Sequence, residues 1–134
     1  MNNQSVLKRQ QGVSLLEVLI SVVVLSIGLL GFAGLQAVSL KNNTSAYQRG
    51  LATMLAYDVI DRVRADMPNR ASYAVAMGAA GSGNVLNWKN GVVAALPGGD
   101  ASVEIDLADK VTVTIQWDDN RDAVPIMLIT ETNL

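Results

Sequence analysis

Gly12-Val13-Ser14-Leu15-Leu16-Glu17 is followed by a run without a single charge from Val18 to Leu40, and these residues decide the fold. A helix of about 20 apolar residues crosses a bilayer, so a membrane-length helix is expected here with one carboxylate, Glu17, at its threshold. An ionised side chain in hydrocarbon costs about 2.5–3.5 kcal/mol on insertion scales. A charge kept there awaits a partner, and Glu17 reads as a docking group. Ser14, three residues before Glu17, has capping-box spacing and reads as a helix start rather than a nucleophile.

Were the chain cut between Gly12 and Val13, the new α-ammonium of Val13 would lie a few residues from Glu17. Side-by-side packing of similar helices would then pair one subunit's ammonium with its neighbour's carboxylate, and two unfavourable charges would offset each other. A basic head (Lys8, Arg9), glycine, a small apolar residue, serine, two aliphatics, glutamate and a long apolar helix together resemble the class III signal of type IV pilins and pseudopilins. The likeness continues through Ser26-Ile27-Gly28-Leu29-Leu30-Gly31-Phe32-Ala33-Gly34-Leu35-Gln36, Ser45-Ala46-Tyr47 and Leu55-Ala56-Tyr57-Asp58-Val59-Ile60-Asp61-Arg62-Val63-Arg64-Ala65-Asp66. These stretches are similar to the PilV-type minor pilins, also called type IV pilus modification proteins.

The resemblance implies an α+β, type IV pilin-like fold. A leader would occupy residues 1–12, the membrane-spanning half of a long helix 13–40, its amphipathic half 41–67, and a head of loops and antiparallel sheet 68–134. It further implies cleavage between Gly12 and Val13 by a prepilin peptidase, N-methylation of Val13, and subunit assembly through Glu17. The partners it implies are other minor pilins and the major pilin, the peptidase, the inner-membrane assembly platform, and a tip adhesin where the fibre carries one. The protein would wait in the bacterial inner membrane as a single-pass protein, its C-terminal domain in the periplasm. It would then join the pilus, priming assembly and supporting biogenesis, twitching motility and adhesion. Val13 stands where Phe or Met is usual, and no proline interrupts the helix, so Gly28, Gly31 and Gly34 are where it would melt locally. A minor pseudopilin of a type II secretion system and an uncut membrane-anchored binding domain are the alternatives, and the Gly28–Gln36 run favours the pilus. Lys8 and Arg9 place the head of the chain in the cytoplasm on any of these readings.

Half of the 134 residues are hydrophobic, but the apolar helix absorbs much of that share. Roughly 90 residues remain outside the membrane, enough for one modest core. The formal net charge is −2, and loss of Lys8 and Arg9 would make the chain more acidic, so no basic field attracts nucleic acid. Cysteine and histidine are both absent. That removes disulfides, thiol nucleophiles, Cys/His zinc sites and histidine acid–base chemistry. No phosphate loop, helical metal-ligand pair or nucleophile elbow is present. The chain reads as a substrate of processing, not an enzyme, and no cofactor or catalytic residue is expected.

Beyond a polar exit at Lys41-Asn42-Asn43-Thr44, expected as a frayed turn, Ala52, Leu55, Ala56, Val59 and Val63 recur at helical spacing, and Met67-Pro68 ends the helix. Asp58 and Arg62, and Asp61 and Arg64, fall on its solvated side. From Asn69 to Asp100 the composition is that of loops, with Val85, Leu86, Trp88, Val92 and Val93 too irregular to fix an element, although a short helix carrying Leu86 and Trp88 onto the sheet fits. Trp88 reads as a plug over its own core. Val103, Ile105 and Leu107 then alternate with Ser102, Glu104 and Asp106; Val111, Val113, Ile115 and Trp117 alternate with Thr112, Thr114 and Gln116; and a third segment follows from Ile126. Period two over three segments predicts an antiparallel meander with one face on the helix, and Pro125 belongs at a strand start or edge. The acidic turn Asp118-Asp119-Asn120-Arg121-Asp122 lacks the glycine and glutamate of a calcium loop and reads as a solvated hairpin turn.

Overall fold

The computed structural model describes residues 14–119 and 124–134. Its order is a long helix α1 (Leu15–Ala65), a short 3-10 segment (Met67–Tyr73), helix α2 (Gly83–Ala95) and strands β1 (Asp100–Ile105), β2 (Lys110–Trp117) and β3 (Ile126–Asn133). The chain divides after Lys41 into two units, the second Asn42–Leu134. In the first, every described residue is exposed, and α1 is the one helix among the described residues long and apolar enough to cross a membrane.

The second unit is an α+β layer of the type IV pilin kind, with the C-terminal half of α1 packed on a three-stranded antiparallel sheet of order β1-β2-β3. Ala52, Ala56, Val59, Ile60 and Val63 supply the helix side of the core, and Val103, Val111, Val113, Ile115 and Trp117 the sheet side. Their spacings of three and four on the helix and two on the strands put each set on one face. Asp58–Arg62 at 3.0 Å and Asp61–Arg64 at 3.5 Å form on the exposed face of α1. The helix stops before Pro68, as its sequence requires.

Four expectations need correcting. Lys41-Asn42-Asn43-Thr44 is helical, not frayed, because the hydrogen-bonded ladder on both sides continues through it. The segment of loop composition holds a helix, as its short-helix reading allowed, but α2 is 13 residues long and turns Val85, Trp88 and Val92 inward rather than Leu86 and Trp88. Val85, Trp88, Val92 and Leu96 form a buried stripe at spacings of three and four, which outweighs Gly83 and Gly91. Leu107 leaves the strand and is fully exposed. There Asp106 Oδ1 accepts the Ala108 and Lys110 amides at 2.8 and 2.9 Å, closing a side-chain turn before the third apolar position is reached. Ser102, assigned to the solvated face, is buried.

Trp88 does plug the core, but against α1: its indole N–H donates to the Leu55 carbonyl at 2.9 Å. Val75 and Val103 exchange both backbone hydrogen bonds at 2.9 Å, which extends the β1 edge by one bridge. Pro125 lies just before β3.

With the layer closed by packing alone, a fragment Asn42–Leu134 is expected to fold cooperatively, with a melting temperature insensitive to reductant and chelator. Within it two glycines should behave oppositely. A Cβ on Gly99 would meet the Val92 and Leu96 carbonyl oxygens at 2.7 and 2.8 Å, whereas one on helical Gly91 meets nothing. Gly99→Ala should cost about 1–3 kcal/mol and Gly91→Ala should add about 0.5–1 kcal/mol. Thermal melts of the two variants, moving in opposite directions, check this.

Candidate functional site

The start of α1 is built by one serine. Ser14 Oγ accepts the Glu17 amide at 3.2 Å, and the Ser14 carbonyl accepts the Glu17 and Val18 amides at 3.0 and 3.3 Å. These bonds satisfy donors that a helix start leaves open and fix Glu17 in the first turn, where the helix dipole favours a negative charge. The Glu17 carboxylate itself is exposed and has no hydrogen-bond or ionic partner among the described residues. Gly12 and Val13, the expected cleavage and methylation positions, lie outside the described residues, as do Lys8 and Arg9.

Two hydroxyls near the start of the helix return to its own backbone. Ser21 Oγ donates to the Glu17 carbonyl and Ser26 Oγ to the Val22 carbonyl, both at 2.7 Å. Such back-bonding is how serine is accommodated in an apolar helix. Among the side chains of the first turns, Glu17 alone is left to be satisfied by something else. What this site can do chemically is accept a cation or hydrogen-bond donors.

A second charged cluster was missed in the sequence. Lys89, on the buried stripe of α2, has a side chain only 6% exposed and pairs with Asp100 Oδ1 at 2.8 Å; it also donates to the Ala76 carbonyl at 3.0 Å. Asp100 further accepts the Gly78 and Ala101 amides at 2.6 and 2.8 Å. Burial by itself pushes the Asp100 carboxyl up, but the Lys89 hydrogen bond, the two amides and the Lys89 charge outweigh it and hold the carboxyl below its ordinary value. All the bonds close within one unit and tie the Ala76–Gly78 turn to α2 and β1, so this pair is a structural clamp. The signal was there: Lys89 falls one residue after Trp88 and three before Val92, on a helix face that is otherwise apolar. At the acidic turn, Asp119 Oδ2 accepts the Ser45 hydroxyl of α1 at 3.4 Å, and residues 120–123 lie outside the described residues.

Residues 7–33 match the family model described as the prokaryotic N-terminal methylation motif. No curated protein and no solved structure matches the chain. The matched segment contains Gly12, Val13 and Glu17 and supports a place in the type IV pilin and pseudopilin superfamily, with a prepilin-like signal, processing by prepilin peptidase and assembly with other pilins. A long apolar N-terminal helix fits anchoring in a membrane before assembly.

The clamp has a pH consequence. A carboxyl held below its ordinary value contributes stability that is complete above about pH 4 and is lost as pH falls through its folded-state value. Wild type should therefore lose stability below about pH 4, and Asp100→Asn should flatten that acid limb. At neutral pH the same variant leaves a buried ammonium without its counter-charge and should cost about 3 kcal/mol, part of which Lys89→Met in the same chain should restore. Melts from pH 2 to 7 test both.

Proposed function

We propose that this chain is a minor pilin of the type IV pilus modification kind, cut between Gly12 and Val13, methylated on Val13, and drawn into the fibre through Glu17. The observation that carries this reading is the Glu17 carboxylate, fixed by Ser14 in the first turn of an apolar helix and partnerless among the described residues. After cleavage the Val13 ammonium of a neighbouring subunit supplies the missing positive charge. The minor role, priming of assembly with other minor pilins and the major pilin at the inner-membrane platform, and support of twitching and adhesion, rests on the similarity of the stretches between Ser26 and Asp66 to the modification proteins. The leader, membrane-spanning, amphipathic and head segments then serve export, storage in the inner membrane, docking and display in that order.

Glu17→Leu separates docking from anchoring. The variant removes an unfavourable charge and should insert at least as well as wild type. It should still be cut after Gly12, yet fail to restore surface pili to a deletion strain, because the neighbour's ammonium is left unpaired in an apolar bundle. Normal piliation at normal protein level would rule out the docking role.

A further inference from the structure

Two stretches of backbone lie at opposite edges of the sheet in the second unit, and each has groups without a hydrogen bond among the described residues. Val75 and Val103 exchange both their bonds, so Ser102 and Glu104 are the residues of β1 that bond to Thr114 and Thr112 of β2. By the same alternation Val111, Val113, Ile115 and Trp117 bond to β3, and the N–H and C=O groups of Met127, Ile129 and Glu131 point out of the sheet. At the other edge Ala74-Val75-Ala76 lies antiparallel to β1. The Val75 groups face inward, which turns the Ala74 carbonyl and the Ala76 N–H outward, both unbonded among the described residues.

Single-chain proteins guard a long edge with lysine, proline within the strand or inward charges. β3 is eight residues long, has Glu131 as its one charge, and shows solvent Met127 and Ile129 at 57% and 60% exposure. Unmet donors and acceptors in an extended row are recognised by another extended stretch. The directions of the two edges decide which one. β1 and β3 are both antiparallel to β2, so Ala74–Ala76 is antiparallel to β3. Within this unit α1 runs the same way as β3, because Ser45 meets Asp119 at one end and Arg64 meets Thr132 at the other. Setting β3 of one copy beside Ala74–Ala76 of the next is therefore an antiparallel pairing that keeps both helices pointing in one direction, as a shared membrane requires.

We propose that copies of this chain join through these unlike edges, β3 of one pairing with Ala74–Ala76 of the next. Met127 lies opposite Ala76, Leu128 opposite Val75 and Ile129 opposite Ala74. The Ala76 N–H donates to the Met127 carbonyl, and the Ile129 N–H donates to the Ala74 carbonyl. The exposed side chains of Met127, Ile129, Ala74 and Ala76 then share the solvent face, while Leu128 and Val75, both packed on the core, share the other. A slip of one residue would turn Leu128 to the solvent side. A slip of two that brings Glu131 to Ala74 and Thr130 to Val75 replaces both apolar matches with polar ones. Each copy uses one edge of each kind, so the contact continues from copy to copy and does not close as a dimer. The pairing stands on the two edges and does not depend on the pilin reading.

The chain has no cysteine, so introduced cysteines report the register directly. Ala74 and Ile129 of adjacent copies form a hydrogen-bonded pair, with Cα atoms about 5.5 Å apart, inside the range a disulfide spans. Full-length Ala74→Cys and Ile129→Cys proteins, mixed in lipid vesicles under mild oxidation, should cross-link about ten times faster or more than Ala74→Cys mixed with Leu107→Cys, a fully exposed turn position that reports random collision. Ala76→Cys with Met127→Cys should match the first rate, and Ala76→Cys with Glu131→Cys, out of register, should not. The double variant Ala74→Cys/Ile129→Cys should give a ladder of dimers, trimers and longer species on a non-reducing gel. Cross-linking of the Ala74–Ile129 mixture no faster than the Leu107 control would overturn the proposal, and so would a double variant that stops at dimers, the mark of a closed two-fold contact. No arm of the experiment requires the cut after Gly12, so failure here is distinguishable from failure of the pilin reading.

Discussion

Glu17 is placed on an apolar helix by a capping serine, and a carboxylate in that setting cannot be left without a partner. The rest of α1 up to Leu40 is consistent with this single constraint. Serines 21 and 26 return their hydroxyls to the helix backbone, and the aliphatic side chains are exposed along the whole described segment. Such a surface needs lipid or other helices around it. Hydrocarbon satisfies the aliphatics but not the carboxylate. A bundle of like helices satisfies both, once each carries a free ammonium a few residues before its glutamate.

The second unit meets a different constraint, since it has no disulfide to limit its unfolded state. Its core is a helix stripe on a strand face, with Trp88 bonding across to the Leu55 carbonyl and the buried Lys89–Asp100 pair pinning α2 to β1. A buried pair of this sort adds specificity as much as stability, because breaking either half is far more damaging than replacing both with apolar groups. Two buried polar atoms, Gln48 Oε1 and Trp117 Nε1, have no hydrogen-bond partner among the described residues. A buried group left without a partner costs about 1–3 kcal/mol.

How much of this was readable in the sequence follows from how local each signal was. The apolar run, the Ser14–Glu17 cap, the α1 stripe from Ala52 to Val63 and the period-two strands are short-range patterns, and the helix and meander they imply are present. The α2 stripe was legible only as a short helix around Leu86 and Trp88, because Gly83, Gly91 and the surrounding glycine-rich composition blurred its extent. Leu107 was misplaced because alternation says nothing about where a side-chain turn such as that of Asp106 cuts a strand short. The Lys89–Asp100 clamp joins residues from two elements, and pairing across elements has no sequence period. For the candidate site, the capped position of Glu17 was legible, while the partner proposed for it belongs to another chain and is a matter of chemistry rather than of pattern.

The most direct test of the central claim is the intact mass of the wild-type protein extracted from membranes of cells with and without prepilin peptidase. The account expects the chain to begin at Val13 with one added methyl group when the peptidase is present, to keep residues 1–12 when it is absent, and to keep them in both strains when Gly12→Asp blocks the cut. Wild-type protein that still carries its first twelve residues in peptidase-competent cells would contradict it, because no ammonium would then exist to meet Glu17.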